Sequence, residues 1–222
     1  MNQRIIPALL PESADELRKD VQSLRLAHEV QVDLVDGDFV PFSAWPYDPL
    51  GDPDEVTDIL SGHSVEVDLM VRDQVAAAER WAKWGAQLII FHSAGITYDA
   101  VEQFAERYTS VSIGLALTND ESLDILNQYY PILDQIQLMG IATIGAQGTP
   151  FDERVLDRIK AVRNQFPELQ ISIDGSMNQQ TIPLARDAGA DRFVVGSALL
   201  RADDRVATYQ SLSSLAEVGM NS

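Results

Sequence analysis

The chain has 222 residues, with 34 acidic against 16 basic side chains for a net charge of −18, three histidines, no cysteine and 45% hydrophobic residues. That length and apolar content can bury a full core, and the missing thiols exclude disulfides, thiolate zinc sites and a cysteine nucleophile. The acid excess repels phosphate backbones and anionic bilayers, so neither nucleic acid nor a membrane is expected as a partner.

In chain order, short β-branched runs alternate with longer amphipathic stretches. The apolar run over residues 5–10 is broken by Pro7 and stopped by Pro11, so it reads as a first strand over 4–9 and not as a targeting signal. Ser13, Ala14, Asp15 and Glu16 form a capping box that opens a helix. A second strand is predicted over 30–35, and Asp52, Pro53, Asp54 and Glu55 place an N-cap before a first-turn proline. Further strands are predicted over 65–71, 88–92, 111–117, 136–141, 171–174 and 192–195. Between the last strands, Val155, Ile159, Val162 and Phe166 recur at helical spacing and give one buried stripe. No apolar stretch approaches the roughly 20 residues that span a bilayer, and a cytoplasmic protein is expected.

Eight strand-helix units in a chain slightly shorter than the usual ~250 residues predict one α/β domain over 1–222, a (β/α)8 TIM barrel. An open doubly wound sheet is the alternative. A barrel places functional side chains at the C-terminal ends of its strands. Alternation puts Gln31, Asp33 and Val35 on one face of the second strand, and Glu66, Asp68 and Met70 on one face of the third. Asp174 ends the seventh, before Gly175 and Ser176. A single carboxylate at a strand end is usually a helix cap. Three converging on one barrel mouth raise one another's pKa unless a cation or a shared proton compensates. The trio therefore implies a bound metal or an acid/base pair. Gly145, Ala146, Gln147 and Gly148 after the sixth strand, Gly175 and Ser176 after the seventh, and Gly196 and Ser197 after the eighth can offer backbone N–H groups to a phosphate. A plain tight turn is the alternative for each.

The residues Ile6 to Leu10, Val32 to Pro41 with their Asp-Gly-x-Phe-Val-Pro run, Val67 to Met70, Ile173 to Ser176 and Val195 to Ala198 resemble the ribulose-phosphate 3-epimerase family in order along nearly the whole chain. That resemblance implies an isomerase of carbohydrate metabolism, a ribulose-phosphate-binding barrel that interconverts ribulose 5-phosphate and xylulose 5-phosphate by moving a proton at C3. It implies Asp33 and Asp174 as the catalytic acid/base pair, a divalent metal stabilising an enediolate, a small phosphorylated sugar as partner, and a homo-oligomer. Its substrate pocket maps onto Ala8, Met70, His92, Met139 and the glycine loops.

The departures are specific. Two metal-binding histidines of the family pattern are replaced by Gln31 and Asp68, a first-strand serine by Ala8, and a pocket methionine by Val35. The loop after the sixth strand lacks the usual Pro-Gly-Phe-Gly-Gly run, and the segment over 42–54 is longer and more aromatic. The metal set Gln31, Asp33, Asp68 and Asp174 is all oxygen, which favours Mg2+ or Mn2+ over Zn2+ or Fe2+, with a site that binds no metal as the alternative. An epimerase for a different sugar, or a phosphosugar-binding paralogue without turnover, are the competing functions. Strand two carries no lysine between Asp33 and Asp36, which counts against the related decarboxylase and hexulose-phosphate synthase chemistry. For His92 a hydrogen-bonded structural role competes with the pocket. His28 and His63 are expected at the surface, and Trp81 and Trp84 in packing or a subunit contact.

Overall fold

The structure is a computed structural model in which residues 3–144 and 149–217 are described. Among them, eight strands run β1 (Ile5–Leu9), β2 (Glu29–Val35), β3 (Ser64–Met70), β4 (Leu88–His92), β5 (Ser112–Leu117), β6 (Gln135–Met139), β7 (Gln170–Asp174) and β8 (Arg192–Val195). Each pairs in parallel with its sequence neighbours, and β8 pairs with β1 through Ile6 and Val194, closing the sheet. The fold is a (β/α)8 barrel, and closure removes the open-sheet alternative. Every strand lies within two residues of its predicted bounds.

The connections carry α1 (Ala14–Ser23), α2 (Thr57–Leu60), α3 (Gln74–Trp84), α4 (Tyr98–Arg107), α5 (Leu126–Tyr129), α6 (Arg154–Gln165), α7 (Thr181–Ala188), α8 (Ser197–Leu200) and α9 (Arg205–Glu217). Strands buried on both faces need apolar residues on the outer one. Val30, Val32 and Leu34 of β2 supply them, in one core cluster with Leu17 and Val21 of α1, Trp81 of α3, Phe104 of α4 and the predicted stripe Val155, Ile159 and Val162 of α6. Each such side chain contributes about 1.5–3 kcal/mol on burial. No helix among the described residues is long and apolar enough to cross a membrane.

Local chemistry sets the element starts. The Ser13 side chain accepts from the Glu16 N–H at 3.2 Å, but the Glu16 carboxylate takes the Glu12 N–H at 2.6 Å, so the reciprocal half of the box sits one residue further out than predicted. At Asp52 both halves form, at 3.0 and 2.8 Å, with Pro53 in the first turn of a short 3-10 segment leading into α2. The aromatic segment after β2 is anchored by Trp45, which is buried and meets Trp81 edge-on at 6.4 Å. A Cβ on Gly51 would lie 2.0 Å from Trp45 Nε1, so only glycine lets the indole seat there. Trp84 completes the cluster, edge-on to Trp81 at 5.6 Å and donating to Thr57 Oγ1 at 2.9 Å.

Inside the barrel the side chains are largely polar. Near the N-terminal ends of the strands, Arg192 donates to Glu66 at 2.6 Å, to Glu29 at 3.0 Å and to Gln135. Glu66, Gln135 and Arg192 are all buried. Burial pushes the Glu66 carboxyl upward even though the Arg192 guanidinium opposes the shift. Above this layer lies the cluster described next.

Candidate functional site

β2 and β3 run in register, placing Asp33 beside Asp68 and Gln31 beside Glu66. The last residue of β7 is Asp174, next to Met139 of β6, and Gln137 pairs with Ser172 one step below. One carboxylate oxygen from each of Asp33, Asp68 and Asp174 lies within 4.8 Å of the others. Two glutamine amides tie them together. Gln31 Nε2 donates to Asp33 Oδ1 at 2.7 Å and to Asp174 Oδ2 at 3.1 Å. Gln137 Nε2 reaches Asp68 Oδ2 at 3.2 Å and Asp174 Oδ2 at 3.4 Å. His92 Nε2 is 2.6 Å from Asp68 Oδ1, with both side chains buried.

The electrostatics follow from crowding and burial. Asp33 is pushed well above the ordinary carboxylate range, first by burial, then by Asp174 and Asp68. Asp174 is raised to about 7 by burial and by Asp68, against the relief given by the Gln31 amide and by His92. Burial opposes charging His92, but the neighbouring Asp68 outweighs it and the imidazole pKa is raised. Carboxylates held this close favour a retained proton or a bound cation.

The donors suit a hard divalent cation. All three triad ligand atoms are oxygens, while Gln31 and Gln137 turn Nε2 toward them and leave each Oε1 buried without a hydrogen-bond partner. Oxygen-only sets of this kind can hold a hard divalent cation.

At the triad opens a cavity of about 390 Å3 whose lining includes Ala8, Met70, Met139, Asp33 and Asp174 and the loop residues Gly175, Ser176, Gly196 and Ser197. Gly175 has φ 110°, and a Cβ there would come within 2.8 Å of Ile141, so glycine alone permits this turn. Ser176 (φ 55°) is held beneath it: its carbonyl accepts from Asn178 Nδ2 at 3.0 Å and Thr181 Oγ1 at 2.7 Å, and its hydroxyl donates to the Thr149 carbonyl. Gly196 precedes α8. The predicted phosphate residues Gly145, Ala146, Gln147 and Gly148 lie outside the described residues.

A family model described as the ribulose-phosphate 3 epimerase family matches residues 4–200. The chain belongs to the ribulose-phosphate 3-epimerase family. Relatives named ribulose-phosphate 3-epimerase include one from Chlamydia pneumoniae, 30% identical over 78% of this chain and 76% of its own, and one from Mycobacterium bovis, 30% identical over 94% and 90%. Among solved structures, a 3-hexulose-6-phosphate synthase superposes with a TM-score of 0.70 at 17% identity, covering 96% of this chain and 99% of that one. KGPDC from Streptococcus mutans gives 0.72 at 14% identity, covering 97% and 98%. At these identities the two structures share the barrel fold with this epimerase-family chain, and nothing finer.

Within this family member, the structure brings Gln31, Asp33, Asp68 and Asp174 into one cluster. For His92, where a pocket role and a hydrogen-bonded structural role were both expected, the ring is buried against Asp68. His92 is not among the residues lining the cavity; the Gln74 amide of α3 clamps its backbone, donating to its carbonyl at 3.0 Å and accepting from its N–H at 2.7 Å, and its ring meets Asp68. Phe39 covers the imidazole at 5.2 Å between ring centres. Val35 also lies off the cavity lining, in a small apolar cluster with Met70, Val40 and Ala44. His28 is exposed and His63 half-buried. Gln137 was not singled out from the sequence. The signal was there, since period-two spacing places it on the same face of β6 as Met139.

Proposed function

We propose that this chain is a metal-assisted 3-epimerase of a pentulose 5-phosphate, interconverting ribulose 5-phosphate and xylulose 5-phosphate. The observation that carries this reading is the pairing of Asp33 and Asp174. They rise from β2 and β7, share one Gln31 amide, face the same cavity, and both hold protons more tightly than an ordinary carboxyl. Inverting a carbon alpha to a carbonyl takes a proton from one side and returns one on the other, so two groups able to exist in either protonation state are needed. A carboxyl that titrates near neutrality meets that need.

Asp33, Asp68, Asp174 and Gln31 would hold the cation. A divalent ion there supplies Lewis-acid stabilisation for negative charge developing on the substrate oxygens. The chain's other groups orient the sugar: backbone N–H groups at Gly175, Ser176, Gly196 and Ser197 receive the phosphate. Met70, Met139 and Ala8 form an apolar wall that limits water around the reacting carbon.

The test is product analysis by NMR after incubating the protein with ribulose 5-phosphate and Mg2+, Mn2+, Zn2+ or Fe2+ in turn. Xylulose 5-phosphate should form fastest with Mg2+ or Mn2+. Folded protein that forms none with any metal refutes the reading. Ala8 removes a hydroxyl from the cavity wall and favours a second reading, an epimerase for a sugar phosphate with one fewer polar contact at that point. A panel of ketose phosphates distinguishes the two. A phosphosugar binder without turnover would instead show ligand-induced thermal stabilisation and no product.

A further inference from the structure

Among the described residues, six buried polar atoms inside the barrel have no hydrogen-bond partner: Gln31 Oε1, Glu66 Oε1, Gln135 Nε2, Gln137 Oε1, Ser172 Oγ and Arg192 Nε. All six side chains are more than nine-tenths buried. Four of these atoms form two sets. Gln31 and its register neighbour Glu66 each leave an acceptor bare, and so do Gln137 and its register neighbour Ser172.

In each glutamine the amide nitrogen faces two carboxylates and the oxygen is left over. The two ends of an amide are nearly equal in size, so rotation about Cγ–Cδ exchanges them without displacing neighbouring groups. With Nε2 toward the carboxylates, as in this structure, the amide damps their repulsion. With Oε1 toward them, it adds a neutral oxygen donor. The displaced N–H groups then turn away from the carboxylates, and Glu66 and Ser172, the register neighbours of the two glutamines, each carry an unpartnered acceptor.

We infer that Gln31 and Gln137 act as a matched amide pair, and that Gln137 is a metal ligand through its side-chain carbonyl, completing an oxygen set with Asp33, Asp68, Asp174 and Gln31. Gln31 stands where the family pattern has an imidazole, and Gln137 adds a second reversible donor from β6, each at a position where its amide already contacts the carboxylates. This rests on the reading of the site as a divalent-cation centre. It adds a β6 ligand that neither the strand-end pattern nor the family resemblance supplies.

Metal-stripped full-length protein labelled with 13C at the glutamine side-chain carbonyl, titrated with Mn2+ and followed by pulsed EPR, tests it. Bound Mn2+ should show coupling to two glutamine carbons in the parent protein and to one in Gln137→Leu, with affinity in that variant weakened about tenfold or more. Gln137→Glu, which keeps an oxygen and loses the N–H, should retain Mn2+ binding. Bound Mn2+ without any glutamine 13C coupling overturns the amide-ligand inference while leaving the cation site standing. Failure of the parent protein to bind Mn2+ overturns the cation reading itself. If Gln137→Leu does not fold, the labelled parent protein still decides between these outcomes.

Discussion

Asp174 Oδ2 accepts from both glutamine amides, so a single oxygen at the tip of β7 connects groups from β2 and β6. Replacing Asp174 or Asp33 with asparagine keeps the shape and removes the proton-carrying function. Each change should lower the epimerisation rate by about 10²–10⁴-fold with little change in melting temperature, read by NMR assay and thermal unfolding. Arg192 presents a different case. Its guanidinium compensates Glu66 in a buried ion pair, so Arg192→Met leaves a carboxyl with nothing to oppose its desolvation. Urea unfolding should show a loss of about 3–5 kcal/mol, partly recovered when Glu66→Gln is added.

At the scale of elements, the strands were legible because a sheet covered on both faces imposes β-branched, period-two runs, and Val30, Val32 and Leu34 carry that signal without ambiguity. The carboxylates were legible for the same reason: alternation fixes which face Asp33 and Asp68 share. What the pattern does not encode is how far across the barrel a long side chain reaches. Gln137 contacts Asp68 on β3, and Arg192 crosses from β8 to β3. Neither contact follows from strand periodicity, which orders residues along a strand and says nothing of partners on the opposite wall. For His92 the sequence left a hydrogen-bonded role and a pocket role open, because strand periodicity names neither its Asp68 partner on β3 nor the Gln74 amide of α3 that bonds its backbone. The turn after β7 was visible as a glycine, but its need for φ 110° was not. Gly175→Ala should therefore cost about 1–3 kcal/mol in stability through backbone strain, and should raise KM for the sugar phosphate by displacing the N–H groups of that loop, measured by denaturant titration and steady-state kinetics.

For the whole molecule, an excess of 18 negative charges sets the background, and the three site carboxylates sharpen it locally. The Asp174 carboxyl moves from the ordinary value of 3.8 to about 7 in the folded chain. Between those values the unfolded chain has released its proton while the folded chain retains it, so folding stability falls as pH rises through that window and levels off above about 7. One such carboxyl contributes ~1.4 kcal/mol per pH unit at most. Metal-stripped protein should accordingly melt at progressively lower temperature from pH 5 to about 7. A divalent cation requires the ionised carboxylates, so the rise in melting temperature on adding Mn2+ should grow over the same interval. Melting curves with and without metal across this range check both signs.

The two-base arrangement of Asp33 and Asp174 is tested most directly by deuterium exchange at C3 of each pentulose phosphate epimer in deuterated water, using the parent protein, Asp33→Asn and Asp174→Asn with Mn2+ present. The parent protein should label both epimers. Each variant should keep exchange on one epimer only, the opposite one in the two variants, because each retains the base on one face of the sugar. Exchange confined to the same epimer in both variants, or inversion in either at the parent rate, would contradict the assignment of one carboxylate to each face.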